Sequence, residues 1–254
     1  MDKKMIALVT AAIMVAFVLG IIVAPSRSGT TTPAATTSDG STAVTIVAIH
    51  DGSNRLYRID AEYPQFKGAS DAFNRSIAKY VTDGIAEFKA NAEENWKARQ
   101  DTMPAGQPKE EFPTTPFTYS ATWGQKQING RYYSIIVRID SYEGGANGRQ
   151  ELQTFNYDVT KKKKITLGDL FPNDAMYLGK LAKYAYDRLS EDLASASGGH
   201  VEFDMLSQGT APIRDNFENF MFNDDVIDLY FPKYQVAPGV FGEQHVIVPR
   251  KGAW

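Results

Sequence analysis

A run of twenty uncharged, mostly apolar residues from Met5 to Ala24 is the feature that most constrains this chain. A helix of that length crosses a hydrocarbon layer of roughly 30 Å. Lys3 and Lys4 precede the run and only Arg27 follows it closely, which favours a cytoplasmic N-terminus. The pattern predicts a cytoplasmic stub at 1–4, a transmembrane anchor at 5–24 and an extracytoplasmic remainder, so the protein would be a single-pass protein of the cell membrane.

A cleaved signal peptide is the main alternative for the same segment. The best candidate cut follows Ala24, but it places the bulky Ile22 at the −3 position and Pro25 just after the cut. Signal peptidase sites carry small residues at −3 and −1, and their apolar core is shorter than this one. The segment therefore fits an uncleaved anchor better than a cleaved peptide, and a buried core helix is the third possibility.

The eighteen residues from 25 to 42, PSRSGTTTPAATTSDGST, have almost no apolar bulk and predict a disordered linker. After residue 24 the chain has 25 basic and 29 acidic residues, a net charge of −4, which makes nucleic acid an unlikely partner. There is no cysteine, so disulfides, thiolate metal sites and cysteine nucleophiles are excluded.

The folded part is expected to start at residue 43 with two strands, AVTIVAIH and RLYRIDAEYPQF, joined by DGSN. A long amphipathic helix capped by Ser70 or Asp71 follows. Its apolar residues recur every three or four positions and are Phe73, Ile77, Tyr80, Val81, Ile85, Phe88, Ala92 and Trp96.

Three further strands, a second helix around 178–189, a short helix in IRDNFENFM and three short strands (DVIDLYF, YQVAP and EQHVIVP) complete the pattern. This order predicts an α+β fold, an antiparallel sheet with two main helices packed on it. We divide it into an N-terminal part, 43–125, and a C-terminal part, 126–254. Four lysines at 161–164 are interpreted as a solvated turn, with a polyanion patch as the alternative.

No catalytic signature is present. The chain lacks a GxSxG elbow, an HExxH helix, a phosphate-binding loop and a calcium loop. His50, His200 and His245 fall in different predicted elements, so no metal or cofactor is expected. Asp140 and Glu143 flank a strand end and could act as general acid and base in glycoside hydrolysis. A charged strand edge is the simpler explanation, because acids close in sequence at a strand end are common.

Two glycine-rich loops at strand ends are the best candidates for ligand contact, because glycine lets backbone approach a partner closely. They span Tyr142–Gly148 and Tyr234–Gly242, and we expect them to meet and line a groove. Tyrosines offer an apolar face with a hydrogen-bonding tip, although both could simply pack in the sheet. The candidate ligand-binding residues are Tyr142, Glu143, Gly144, Gly145, Asn147, Tyr234, Gln235, Pro238 and Gly242.

Three stretches, SYEGGANG, FNYDVTKKKKITLGDLF and LYFPKYQVAPGVFGEQHVIVP, resemble in that order the RsiV-like family of extracytoplasmic domains. This C-terminal domain is shared by an anti-sigma-V factor and a peptidoglycan deacetylase. AEYPQF and the helix with Asn74 and Ile77 resemble the family's N-terminal partner region. Asn147 departs from the pattern, since the family often has His after GGA.

The resemblance implies a membrane-anchored domain that binds or senses a cell-envelope ligand, either a lysozyme-like protein or peptidoglycan. A sigma-factor role does not carry over, because only residues 1–4 are expected in the cytoplasm. The family's deacetylase activity belongs to a separate domain, so no catalytic residue carries over either. The alternative function is an envelope glycan hydrolase that uses Asp140 and Glu143.

Overall fold

The computed structural model describes residues 32–34, 43–107, 109–145 and 147–251. The predicted stub, the anchor and most of the predicted linker lie outside these residues. Within them no helix combines the length and apolar character needed to cross a membrane.

A seven-stranded sheet, with its strands side by side in chain order, forms the first lobe. It confirms the five strands that the sequence predicts between residues 43 and 158. The two short outer strands were not predicted, and the first lies within the predicted linker. The strands are β1 (Thr32–Ala34), β2 (Val44–Asp51), β3 (Tyr57–Phe66), β4 (Phe117–Ile128), β5 (Tyr132–Tyr142), β6 (Arg149–Asp158) and β7 (Lys163–Lys164).

The sheet is mixed, which corrects the expected antiparallel arrangement. Strands β3 and β4 are parallel, whereas every other neighbouring pair is antiparallel. The helix α1 (Asp71–Asp101) causes this, because it carries the chain back along the sheet before β4 begins. Ser70 caps α1 by accepting a hydrogen bond from the backbone N–H of Phe73, as the sequence predicts.

The first core lies between α1 and one face of the large sheet. The apolar stripe of α1 packs on alternate residues of β3 to β6. Aromatic pairs dominate it: Phe66 stacks on Tyr133 at 4.5 Å between ring centroids, and Phe73 lies 4.6 Å from Tyr157. The buried α1 residues are Phe73, Ile77, Val81, Ile85, Phe88 and Ala92.

A three-stranded antiparallel sheet with two helices forms the second lobe. The predicted second helix and the strands DVIDLYF and EQHVIVP are confirmed. The lobe has a separate buried core, drawn from residues 165–248, so the two cores divide near residue 160, whereas the predicted 125/126 boundary falls inside β4. Its elements are α2 (Tyr177–Ser197), α3 (Phe203–Gly209), β8 (Phe220–Phe222), β9 (Val226–Phe231) and β10 (Gln244–Pro249).

The segment YQVAP is not a strand, contrary to the prediction. Tyr234 has a φ of +73°, outside the strand region, and the backbone N–H of Gln235 donates to the carbonyl of Pro232 in a turn. The predicted short helix in IRDNFENFM is a four-residue 3-10 turn, Arg214–Phe217.

Side chains, rather than a continuous strand ladder, join the two lobes. Ser134 and Asn156 face each other on β5 and β6, on the side of the sheet away from α1. The amide of Asn156 donates to the carbonyl of Phe220 at 2.7 Å, and the hydroxyl of Ser134 accepts from the N–H of Phe222 at 2.9 Å. Thr154 accepts from the N–H of Phe220 as well. Strand β8 is thereby fixed onto the outer face of the large sheet.

Candidate functional site

A groove lies between the ends of β5 and β6 and the chain segment that follows β9. It consists of two adjoining cavities of about 260 and 390 Å³. Asp140, Gln150 and Lys233 line both cavities, so the two form one continuous depression. Its floor comes from the first lobe and one wall comes from the second.

Strand alternation places the floor of the groove. Asp140 and Gln150 are cross-strand partners, as are Arg138 and Leu152, and all four project from the face opposite α1. The side-chain amide of Gln150 donates to a carboxylate oxygen of Asp140 at 2.9 Å. The floor is thus polar at the open end and becomes apolar towards the contact between the lobes, where Leu152 packs with Tyr230.

The loop 142–148 forms one end of the groove. Tyr142 and Asn147 line it, and the Tyr142 ring packs edge-on against Phe117 while its hydroxyl donates to the carbonyl of Gly145. Gly144 and Gly145 have φ values of +85° and +110°, a conformation that side-chain-bearing residues rarely adopt. Gly144 and Gly145 thus shape this turn, whereas their predicted contact with a ligand stays a prediction.

The segment 232–243 forms the facing wall. Lys233 reaches into the groove, and its ammonium lies 5.3 Å from the centre of the Tyr234 ring. Tyr234 is 59% exposed and has its backbone in the left-handed region, a strained state for tyrosine. The ring rests on Gly239, where an added Cβ would fall 2.2 Å from ring atoms. The glycine therefore sets the position of an exposed aromatic ring at the rim.

The two predicted loops therefore approach one groove, but not all of their residues line it. Gly242, with a φ of +67°, lines the inner cavity. The Gln235 amide instead donates to the carbonyls of Gly209 and Asn216, inside the second lobe. Pro238 is half-buried and precedes the 3-10 turn Gly239–Phe241. Gln235 and Pro238 support the wall instead of facing the groove.

Asp140 and Glu143 do not form a pair. Asp140 faces the groove, whereas Glu143 lines a small pocket beneath α1 together with Tyr119. Ser141 donates to the Glu143 carboxylate at 3.3 Å on that side. General acid and base groups must flank one scissile bond. The acid pair predicted for a hydrolase is therefore not assembled.

Sequence reasoning missed several polar residues of the groove, among them Arg138, Gln150, Lys233 and Glu243. Arg138 forms a bidentate ion pair with Glu243, with distances of 2.7 and 2.9 Å, across the boundary between the lobes. Charged residues at alternate strand positions are ordinary surface features in a sequence. Only the phase of β5, which places Arg138 on the same face as Asp140, could have indicated their side of the sheet.

A buried charge cluster lies behind the groove. The Asp228 carboxylate, 2% exposed, binds Lys126 from β4 at 2.6 Å and His245 from β10 at 2.9 Å. Burial alone would raise the pKa of Asp228, but the hydrogen bonds from His245 and Lys126 outweigh it and hold that pKa below its ordinary value of 3.8. His245 stacks on Tyr230, whose ring also carries the Arg138 guanidinium.

No three His, Asp or Glu side chains converge in the described part of the chain as a metal site requires. His50 is on the surface, where it lies 2.8 Å from Asp60. Among the described residues, the groove thus offers the cation Lys233, the ion pairs Arg138–Glu243 and Arg149–Glu151, and the polar side chains of Asp140 and Gln150. Tyr142 and Tyr234 lie at its edges.

Comparison with known proteins gives two family matches in tandem. The model described as "Deacetylase PdaC" matches residues 51–150, and "Protein of unknown function (DUF3298)" matches residues 168–251. The chain is 31% identical over 206 residues to peptidoglycan-N-acetylmuramic acid deacetylase PdaC of Bacillus subtilis. That alignment covers 80% of this chain but only 39% of the relative.

A solved structure of a DUF3298 family member from Bacteroides fragilis has the same fold. It superposes with a TM-score of 0.52 at 14% identity and covers 83% of this chain and 92% of its own. The boundary between the two matches coincides with the boundary between the two lobes. The first match covers most of the large sheet, and the second covers the lobe around α2. Together these matches support the PdaC and RsiV-like family of extracytoplasmic domains that the sequence resemblance anticipates.

Proposed function

We propose that this protein binds a glycan of the cell envelope, of the peptidoglycan type, in the groove between its two lobes. The observation that carries the proposal is the continuous depression that joins the Tyr142 loop to Lys233 and Gly242 through Asp140 and Gln150. A groove open along its length suits a chain-like ligand. The proposal places this domain on the outer side of a membrane, tethered by residues 5–24.

The groove offers the chemistry that sugar recognition uses. Tyrosine rings give sugars an apolar face, while amide and carboxylate groups hydrogen-bond to hydroxyls. Lys233 has no carboxylate within ion-pair distance among the described residues, so its charge is available to a ligand. Peptidoglycan carries free carboxylates on the peptide stems attached to its muramic acid units, and the Bacillus relative is named for acting on N-acetylmuramic acid.

Replacing Lys233 with Met or Tyr234 with Ala is expected to weaken binding to insoluble peptidoglycan about tenfold each. The loss follows from the roughly 1.4 kcal/mol that one good contact at a binding hot spot contributes. The measurement is co-sedimentation of the solubilised full-length protein with purified peptidoglycan. Lys97→Met and Phe203→Ala are matched controls, because both side chains are exposed outside the groove.

Affinity equal to the unchanged protein in both groove variants would contradict the proposal. Release of reducing sugar ends that Asp140→Asn abolishes would favour the hydrolase instead.

Replacing Gly239 with Ala is expected to weaken the same binding about as much as Tyr234→Ala does. The new methyl group would occupy the place of the Tyr234 ring and force the ring away from the rim. Tyr234 itself stays in the chain, so the variant separates ring position from ring presence. The check is the same co-sedimentation, with thermal unfolding as a test of folding. Unchanged affinity in a variant whose Tyr234 ring has moved would show that ring position does not matter.

A further inference from the structure

The end of the molecule opposite the groove is strongly basic. Three loops of the large sheet and the chain after β10 meet there and carry eight cationic side chains. We call this surface the basic end; its residues are Lys67, Arg131, Lys161, Lys162, Lys163, Lys164, Arg250 and Lys251.

Direct contacts establish that these segments are neighbours. A Cβ on Gly68, next to Lys67, would lie 3.7 Å from the Val159 side chain, and the N–H of Val159 donates to the carbonyl of Arg131 at 2.8 Å. The chain after β10 is linked to these loops by contacts between aromatic rings and arginines. Arg131 lies over the ring of Tyr132, Tyr132 packs on Phe222, and Arg250 lies over Phe222.

Nearby acids neutralise only part of this charge. Asp158 and Asp169 pair with Lys161 and Lys163, and the other three carboxylates in these segments are Asp71, Asp224 and Asp225. Lys162 and Lys164 are exposed, and neither has an ion-pair partner among the described residues. Residues 43–254 contain 24 basic and 28 acidic residues, a net charge of −4. The basic end is thus a local excess of three positive charges on an acidic domain.

The basic end and the groove lie at opposite ends of the same strand. β5 starts at Tyr132, beside Arg131, and finishes at Tyr142, on the edge of the groove. Arg138 and Tyr142, two groove residues of β5, lie seven and eleven residues from Arg131, or about 23 and 36 Å at the usual rise per residue. When the basic end rests on a surface, the groove therefore faces away from that surface.

We propose that the basic end rests against the anionic surface of a lipid bilayer and so turns the groove outwards. The inference rests on the predicted membrane span, Met5–Ala24, and is independent of what the groove binds. Seven residues, 25–31, separate that span from β1, and even fully extended they reach only about 25 Å. Strand β1 runs antiparallel to β2, with Thr32 opposite Ala48 and Ala34 opposite Ile46, so the tether leaves β1 towards the groove end. It has to turn back over about 13 Å to reach the level of Val44 at the basic end, which lies within its extended length.

This short tether keeps the domain close to the lipid. Electrostatic attraction acts within a Debye length of about 8 Å at physiological salt. Because the tether is short, tilting of the domain can bring the basic end within that distance of the lipid surface. A Lys or Arg side chain close to an anionic bilayer surface is attracted to it by about 1 kcal/mol. The remaining surface carries an excess of negative charge and is repelled, which selects one orientation.

The test compares lysine reactivity in the full-length protein on lipid nanodiscs made with and without phosphatidylglycerol. Each lysine is labelled with an amine-reactive ester and quantified by mass spectrometry. We expect Lys67 and Lys161–Lys164 to react about fivefold more slowly on the anionic discs, the factor that corresponds to about 1 kcal/mol per lysine near an anionic surface. High salt should restore the rate. Lys97 and Lys233, away from the basic end, should react equally on both discs.

The double variant Lys162→Glu, Lys164→Glu should abolish the protection of Lys67 and Lys161. Equal labelling of the basic end on both kinds of disc would overturn the proposal, as would dissociation of the protein from the discs. Protection by soluble polyphosphate on neutral discs, without protection by anionic lipid, would overturn it too and identify a soluble polyanion as the partner.

Discussion

Replacing Asp228 with Asn is expected to lower the free energy of unfolding by about 3 kcal/mol. The carboxylate is 2% exposed and binds Lys126 and His245, which come from different sheets. Removing one partner of a buried ion pair leaves the other charge uncompensated and typically costs 3–5 kcal/mol. We expect a loss at the lower end of that range, because the Lys126 side chain is 24% exposed and water can solvate part of its charge.

Urea unfolding at neutral pH measures this effect. Asp60→Asn is the matched control, since Asp60 also contacts a histidine, His50, but its side chain is 77% exposed. Surface pairs of this kind contribute about 0–1 kcal/mol. A loss at Asp228 no larger than the loss at Asp60 would contradict the proposed role of the buried pair.

The Asp228 cluster also predicts how the stability of the protein changes at low pH. Because the folded-state pKa of Asp228 lies below its unfolded value, its stabilising contribution is fully present above about pH 3.8 and is lost as pH falls through the folded pKa. The stability difference between the unchanged protein and Asp228→Asn should therefore shrink below about pH 4.

Replacing Asn156 with Leu is expected to cost about 3 kcal/mol and to weaken the attachment of the second lobe. The Asn156 amide donates to the carbonyl of Phe220, and its oxygen accepts from Ser134 at 2.6 Å. Leucine fills a similar volume but leaves both partners buried without that bond. Each buried polar group that loses its partner costs about 1–3 kcal/mol.

Two probes distinguish this effect from a uniform loss of stability. In a Trp254→Phe background, tryptophan fluorescence follows Trp96 and Trp123, which pack at the first core. Hydrogen exchange follows the amides of β9 in the second lobe. We expect β9 to open at lower urea than the first core in the variant. Thr122→Val, on the exposed outer face of β4, is the control and should leave the two transitions together. Coincident transitions in Asn156→Leu would refute the role of this side chain in joining the lobes.

Long elements with a clear period could be predicted from the sequence. The α1 stripe repeats over 31 residues, and Ser70 precedes it with a hydroxyl in capping position, so type, face and start are all determined locally. Strands β5 and β6 likewise carry runs of branched and aromatic residues between glycine-rich turns.

The elements that escaped prediction depend on distant contacts. The parallel pairing of β3 with β4 depends on where a 31-residue helix returns the chain, which no local pattern contains. Strand β8 has only three residues, and side chains some 65–90 positions earlier hold it in place. The turn at Tyr234 overrides a sequence with strand propensity, because Gln235 is bound by the second lobe.

The candidate site, like the fold, has parts that the sequence predicts and parts that it does not. Glycines and tyrosines in its two loops are visible in the sequence because turn chemistry is local. Lys233, Gln150 and Arg138 were not found, since an isolated charge gives no sign of which surface it will face. Asp140 and Glu143 illustrate the opposite error. They are close in sequence and were predicted to act together, but their side chains lie on different faces of the sheet.

The side-chain attachment of β8 affects how the groove can respond to a ligand. Its floor and its wall belong to different lobes, yet the Asn156 and Ser134 bonds, the Arg138–Glu243 ion pair and the Asp228 cluster all cross between them. Hinge closure would break several of these contacts at once. Association should then proceed in one kinetic phase, with little conformational entropy lost by the protein, since the groove already has its binding shape.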